Sequence, residues 1–541
     1  MHPTPASYPC HLLSHLPPLL QDPDVRQRLL AFGPERLAAL ALLDLEPARA
    51  LLLPGYCQRR GGRHHRDPVV MLRALVVMVF CDCPSINLFT RRLRGQPELR
   101  LLCGLPEGDR GPGVGTFYDF LHRLLDGPYH RPCEHRQRPS SRLRGRHFQR
   151  CLKIEKSDQK AQSQADLAHS QQGRVDSLVD KRLAAFDEPL PDDLTQRLNE
   201  ILTRCGVLPS LHDGLLADIR RLVVCGDGTA IPSHAQGRGH ALCSCAKDGK
   251  ADCTCPRRYS DPEAHWGYDS HRERYYFGYR LHVLTTHAGA DDLPLHIALD
   301  PGHTPDVIMG VDSLLRLCKQ LKESATGAHI SAGVFDAGYD ATAYYRLNQS
   351  LDIAPIIPLA QISKTPACAQ DLPRDETGAP LCAGQIPMRL HQRDLANRQL
   401  VYNCPAKRPG RANGKVLFRV HRDDCPNASL CEPESVMGPI LHLRLDGDPR
   451  LNLPIPRNSP KFTELYRQRT STERFNSTLK SKGDLANGAF RRRHVLFTFA
   501  VLHAVEIHAR ARAGRHLGSS DHITLELVVE HLKQRAAAQP S

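Results

Sequence analysis

The sequence predicts an α/β fold: a mixed sheet interrupted by a β-rich insertion and preceded by a helical N-terminal domain. Three observations carry this expectation. Residues 1–130 hold leucine-rich stretches near 25–45 and 67–80, broken by Pro, Gly and the basic run 59–66. From residue 220, strand-like and helix-like runs follow in the order β-β-β-α-β-α-β, which departs from uniform alternation and fits a sheet with an antiparallel edge. Residues 360–458 then break the order with Pro, Gly and Cys.

Taken along the chain, segment 113–127 sets Thr116 where a helix N-cap belongs, then apolar residues at helical spacing, then Gly127 as a stop. Such a helical module either binds DNA or only packs, and the residues do not choose. Residues 131–215 read as a basic and polar linker, of which 131–175 is either a DNA-tracking arm or a solvated spacer. Residues 216–359 form the first part of the α/β region. Its strands are 221–231, closing on the acid Asp227, then 275–287 and 293–301. A helix at 307–323 precedes a strand within 329–340 that closes on Asp336, a helix at 341–351 and a strand at 352–359. Within the insertion, strand pieces are expected at 399–404, 415–421 and 440–445. Residues 459–515 are the helical end of this region, and 516–541 a C-terminal tail.

Composition narrows the function. At 541 residues the chain exceeds one ordinary core, and 41% hydrophobic residues suffice for packing. Lys and Arg number 72 against 58 Asp and Glu, a net charge of +14, which points to a polyanionic partner such as nucleic acid. No apolar run reaches the roughly 18 residues that a membrane span needs, and the first twenty residues lack the pattern of a signal peptide. A cytoplasmic protein is expected, with its 19 cysteines as thiols or metal ligands.

Asp227 in VVCGDGT and Asp336 in GVFDAGYD each follow an apolar run and precede a small residue. Strand ends present side chains to a crevice, and a carboxylate there either ligates a hard cation or caps a turn. The segment 466–480 is more specific. Tyr466, Arg469, Glu473 and Lys480 are spaced to share one helical face, an acid flanked by two cations and a phenol. Arg469 and Glu473 also suit a surface i,i+4 ion pair.

This spacing, Tyr-x2-Arg-x3-Glu-x6-Lys, resembles the YREK signature of bacterial insertion-sequence transposases with a DDE catalytic domain. The GDGT and FDAGYD segments resemble that family's two Asp motifs, and GYRLH at 278–282 its second strand. The resemblance covers about 220–510, more loosely the helical N-terminal region. It implies an RNase H-like fold in which Asp227, Asp336 and Glu473 bind two divalent ions, Mg²⁺ or Mn²⁺. It also implies that Arg469, Lys480 and Tyr466 hold the transposon end. The partners implied are the terminal inverted repeats and target DNA, gripped by a homodimer, with a hairpin intermediate in related enzymes. Two other readings stand: a transposase-derived DNA-binding protein without catalysis, and a metal-dependent nuclease without strand transfer.

Some residues stay open. PGHTPD at 301–306 holds His303 and Asp306, either supporting the site or forming a turn. Trp266 either packs or stacks on a base. Cys243, Cys245, Cys253 and Cys255 have spacing for a structural Zn²⁺ site, as do Cys404, Cys425 and Cys431 with Cys382. Free loop thiols are the alternative for both groups.

Overall fold

The computed structural model describes residues 7–56, 66–126, 143–144, 173–216, 218–245, 247–250, 255, 257–289, 291–324, 326–360, 372–394, 396–412, 415–420, 425, 438–444, 448–481, 485, 490–518 and 522–537. Most of the basic run 59–66, the stretch 127–142 and residues 145–172 lie outside these, so the polar arm expected there is not described.

Helices α1 (Ser7–Leu19), α2 (Pro23–Phe32), α3 (Pro34–Leu42), α4 (Pro68–Phe80), α5 (Ile86–Gly95), α6 (Pro97–Leu102) and α7 (Val114–Asp126) build the N-terminal layer. Local chemistry sets their starts. Asp22 and Asp67 accept hydrogen bonds from the first-turn amides of α2 and α4, each followed by a proline whose missing N–H costs nothing there. α4 is apolar apart from Arg73 and buried along its whole length. α7 begins at Val114, so Thr116 lies inside the first turn rather than at the cap.

Residues 173–215 do not form a linker. A helix runs over 173–184. Another, α8 (Leu194–Leu202), continues through a π turn at Thr203–Val207 into Leu208–His212. Leu194, Leu198, Ile201 and Leu202 are buried. The polar composition conceals an amphipathic helix with one apolar stripe.

The main sheet contains β1 (Leu222–Pro232), β2 (His265–Asp269), β3 (Arg274–Ala288), β4 (Asp291–Pro301), β5 (Ile330–Val334) and β6 (Ala354–Ile356). β4 pairs antiparallel with β3, β3 antiparallel with β1, β1 parallel with β5, and β5 parallel with β6. β2 pairs with the first residues of β3, ahead of β4 on the same side. β2 was not foreseen in the sequence.

Side chains from the helices cover the outer edge of β4, where bare amides would otherwise invite further pairing. Asn199 on α8 bonds both the amide and the carbonyl of Ile297. α9 (Asp306–Glu323) and α10 (Thr342–Ser350) follow β4 and β5 in sequence, and α9 packs on β3 and β4.

The stretch 360–458 is strand-rich where described. β7 (Arg389–Asp394), β8 (Gln399–Asn403) and β11 (Ile440–Arg444) form one sheet, and β9 (Lys407–Ala412) pairs with β10 (Lys415–Val420) as a hairpin. β7 and β9 escaped the sequence reading because their residues are mostly polar. At its far end Arg450 pairs with Asp340 at 2.9 Å, and Arg457 donates to the Ile357 carbonyl at 2.7 Å and the Tyr345 hydroxyl at 2.8 Å.

The chain then forms α11 (Pro460–Tyr466), α12 (Thr470–Ser481), α13 (Arg493–Leu517) and α14 (Leu525–Ala537). Arg493 donates to the Leu299 carbonyl, and a His508 ring nitrogen lies 2.8 Å from the Pro294 carbonyl, adding to the cover of β4. α14 replaces the expected tail: Leu525, Val528 and Leu532 are buried, and the helix packs on α1 and α3. Among the described residues, no helix is long and apolar enough to cross a membrane.

Candidate active site

Two acids meet where the parallel pair of central strands ends. The last parallel partners of β1 and β5 are Cys225 and Val334. Asp227 and Asp336 each lie two residues beyond their paired residue, so the register itself brings them side by side. This is the carboxyl end of parallel strands, where open sheets present ligand sites. β1 spans Leu222–Pro232, within one residue of the expected 221–231, so Asp227 lies inside the strand rather than at its close. Antiparallel pairing to β3 carries Gly-Asp-Gly-Thr straight on, with Asp227 opposite Val283. Asp336 does follow its strand, and its carboxylate accepts from the Gly338 amide at 2.9 Å.

α12 lies over the face of β1 that carries Cys225 and Asp227. Its start is pinned to β3, where the Thr285 hydroxyl lies 2.9 Å from that of Ser471 and 3.0 Å from that of Thr472. Phe475 and Leu479 are buried beneath it. Glu473, one residue past the anchor, is exposed and paired with Arg469 at 2.5 Å. The i,i+4 ion pair is thus formed, but Arg469 is not a plain surface cation: its charge is felt by Asp227 and Asp336.

Tyr466 ends α11, and a single 3-10 turn over Arg467–Arg469 separates it from α12, so the four residues share a helical path with a bend. Its ring stacks on Phe462 with centroids 6.0 Å apart. The Arg469 guanidinium lies 5.9 Å from that ring. Lys480, toward the end of α12, is half-buried, and burial lowers its pKa against the attraction of Asp269 and Asp227.

The electrostatics suit a cation. Burial pushes Asp227 up to about 7, helped by the like charges of Asp306 and Asp336 and opposed by the Gly228 amide and Arg469. Burial also raises Asp336, with Asp306 adding to the rise. Acids crowded into an apolar wall with too little positive charge are what a divalent ion with oxygen ligands relieves.

Asp306 is one of two residues for which the sequence allows either a supporting role or a turn. PGHTPD does form a turn, with the Thr304 amide donating to the Pro301 carbonyl at 2.9 Å. Asp306, however, opens α9 and pairs through both carboxylate oxygens with Arg280 on β3. It presses on the backbone of β1, because a Cβ on Gly228 would come within 1.8 Å of its Oδ1. The signal was present in GDGT, where the second glycine leaves room for a neighbouring side chain. Trp266, on β2, packs edge-on against Phe277 with centroids 5.6 Å apart.

The three acids do not form a closed cage. Among the described residues, one group of three ligand-type side chains has all its ligand atoms within 4.8 Å, and it is Cys243, Cys245 and Cys255. Cys253 lies outside the described residues. Cys404 and Cys425 share a small buried cluster with Ala406, Cys382 belongs to another, and Cys431 is outside the described residues.

A family model described as a transposase DDE domain matches residues 219–505, more than half of the chain and all of the acid-bearing sheet. The chain belongs to the DDE transposase family. A second model, described as a transposase domain (DUF772), matches residues 34–123 of the transposase, within the helical N-terminal layer. No curated protein matches it. Membership makes the transposase an enzyme of that class, with DNA as its partner, in a family that typically uses divalent metals.

Proposed function

We propose that the transposase cleaves the ends of an insertion sequence and joins them to target DNA, with Asp227, Asp336 and Glu473 as the metal-binding triad. The observation that carries this reading is the register match of Asp227 and Asp336 beneath the helix of Glu473. The order β4-β3-β1-β5-β6, with the first three strands antiparallel and the last two parallel to β1, supports an RNase H-like arrangement.

Two bound Mg²⁺ or Mn²⁺ ions would stabilise the attacking and leaving oxygens of an in-line displacement at phosphorus. The protein's own residues do the rest. Asp227 and Asp336 offer their carboxylates from rigid backbone. Glu473 completes the set by turning from Arg469 toward the sheet. Arg469, released by that turn, offers its planar fork to a phosphate, while Lys480 contributes a point charge. Tyr466 stands beside Arg469 to contact the cleaved end. The helical N-terminal region, residues 1–130, supplies further DNA contacts, and the insertion, 360–458, divides the catalytic region. Two ends require two active sites, so a homodimer assembles on DNA.

The test is cleavage of DNA bearing the element's inverted repeats in Mg²⁺ or Mn²⁺. Glu473→Gln should abolish nicking and retain DNA binding. Persistent nicking in that variant overturns the triad. Nicking without joining by the unaltered protein would reduce the reading to a nuclease.

A further inference from the structure

The segment from Ser233 to Arg258 leaves β1 directly after Pro232 and returns just before β2. Its base is firmly built. Asp261 accepts from the Ser233 hydroxyl at 2.6 Å, the Tyr279 hydroxyl at 2.5 Å and the Arg492 amide at 2.9 Å. A two-residue ladder, His240 opposite Arg258 and Ala241 opposite Arg257, closes its neck.

Among its described residues the segment beyond the neck has no apolar core. None of these residues is buried, and Leu242 is half exposed. Hydrophobic burial therefore contributes little to its shape, and a cross-link or a metal would add what burial does not. Yet it gathers three cysteines from two separate strings of sequence. Cys245 Sγ lies 3.8 Å from Cys255 Sγ, and the sulfurs of Cys243, Cys245 and Cys255 all lie within 4.8 Å of one another. A disulfide would set two of them about 2.05 Å apart. A tetrahedral Zn²⁺ with Zn–S bonds of about 2.3 Å sets its thiolate sulfurs about 3.8 Å apart. Tight turns lie between the ligands: the Lys247 amide donates to the Ser244 carbonyl at 2.7 Å and the Lys250 amide to the Cys245 carbonyl at 2.9 Å.

We infer that Cys243, Cys245 and Cys255 bind a structural zinc ion as thiolates, and that this ion shapes the segment between the first strand of the sheet and β2. Three thiolates leave one tetrahedral position for a further donor. Sulfur ligands make the site chemically distinct from the oxygen-ligand site on the sheet. The ion holds Arg238, Lys247, Lys250 and Arg258 on a fixed frame; all four are exposed on the segment that leaves the strand of Asp227.

The experiment is metal analysis of the full chain expressed with zinc, together with cobalt substitution. The unaltered protein should retain zinc through dialysis, and Co²⁺ should give a thiolate-to-cobalt charge-transfer band. Cys245→Ser and Cys255→Ser should each lose one equivalent of zinc and that band, while Cys10→Ser, at an exposed position on α1, keeps both. Circular dichroism checks that the variants remain folded, which the absence of core residues in the segment favours. Unchanged zinc content in both cysteine variants overturns the inference, as does an unaltered protein that holds no zinc. Glu473→Gln should keep its zinc, so failure of the triad and failure of this site are separately visible.

Discussion

The sheet and the helix above it present their acids in opposite ways. Asp227 and Asp336 sit on backbone fixed by strand register, largely withdrawn from water, and burial raises both. Glu473 is 45% exposed and tied to a neighbour four residues back on its own helical path. The sheet acids are placed and wait for positive charge, while the helix acid has a positive partner and waits for placement. In the proposed triad the assembly of the site would be divided: rigid elements would set two ligands, and the helix pinned at Thr285 would bring the third by rotation of the Glu473 side chain.

The largest effect should follow from removing a sheet acid. Asp227→Asn or Asp336→Asn should lower cleavage by about a thousand-fold or more, the loss of several kcal/mol of charge stabilisation at tenfold per 1.4 kcal/mol. A single-turnover assay reads it, and a loss of only a few-fold would put the sheet acids outside the chemistry.

Acid should loosen the sheet half. Burial lowers His282 to about 4 and His296 to about 3. His282 lies across from Gly228 and within 2.8 Å of the Tyr339 hydroxyl. A folded pKa below the unfolded value of about 6.5 means that the unfolded chain binds more protons between the two. Stability is therefore full above about 6.5 and falls as pH drops toward 4, by about 1.4 kcal/mol per unit for each such histidine. Asp227, raised to about 7, opposes this over the same window, so the test compares chemical denaturation at stepped pH with that of His296→Gln, and an equal pH dependence from 7 to 5 in both would contradict it.

Gly228→Ala sharpens the comparison from the other face. A methyl group there meets Asp306, so either β1 shifts or the Arg280 pair opens. A destabilisation of about 1–3 kcal/mol is expected, as for other overpacked sites, with reduced cleavage. A variant as stable and active as the parent would show that β1 gives way freely.

The smallest effect concerns the proton on Asp227. A carboxyl raised to about 7 must lose its proton to bind a cation, so Mn²⁺ affinity should climb with pH below about 7 and level above it. Asp306→Asn removes a like charge, and the plateau should begin at lower pH. Calorimetric titration at several pH values measures the shift; a plateau moved upward would reverse the sign assigned to Asp306.

Much of this was legible in sequence for physical reasons that differ by element. The strands at 274–288 and 291–301 are long and apolar enough to declare themselves. The spacing of residues 466–480 placed the helix that carries Glu473 and Lys480, though Tyr466 closes a separate helix before it. What escaped depended on partners distant in sequence. Only pairing with β3 shows that Asp227 lies inside its strand rather than at its end, and only Arg280 gives Asp306 its place. The helices at 194–202 and 525–537 looked like linker and tail because one apolar stripe each is a weak signal without the surface it covers.

The bond between Arg450 and Asp340 has a mechanical meaning. Asp340 is four residues from Asp336, in the same tight turn, and Arg450 holds it from the far end of a long excursion of chain. Tension on that excursion is therefore delivered to the turn of one sheet acid, through a two-pronged guanidinium strut. A pull on the strand-rich lobe would strain the seat of Asp336 directly and reach Asp227 only through the sheet.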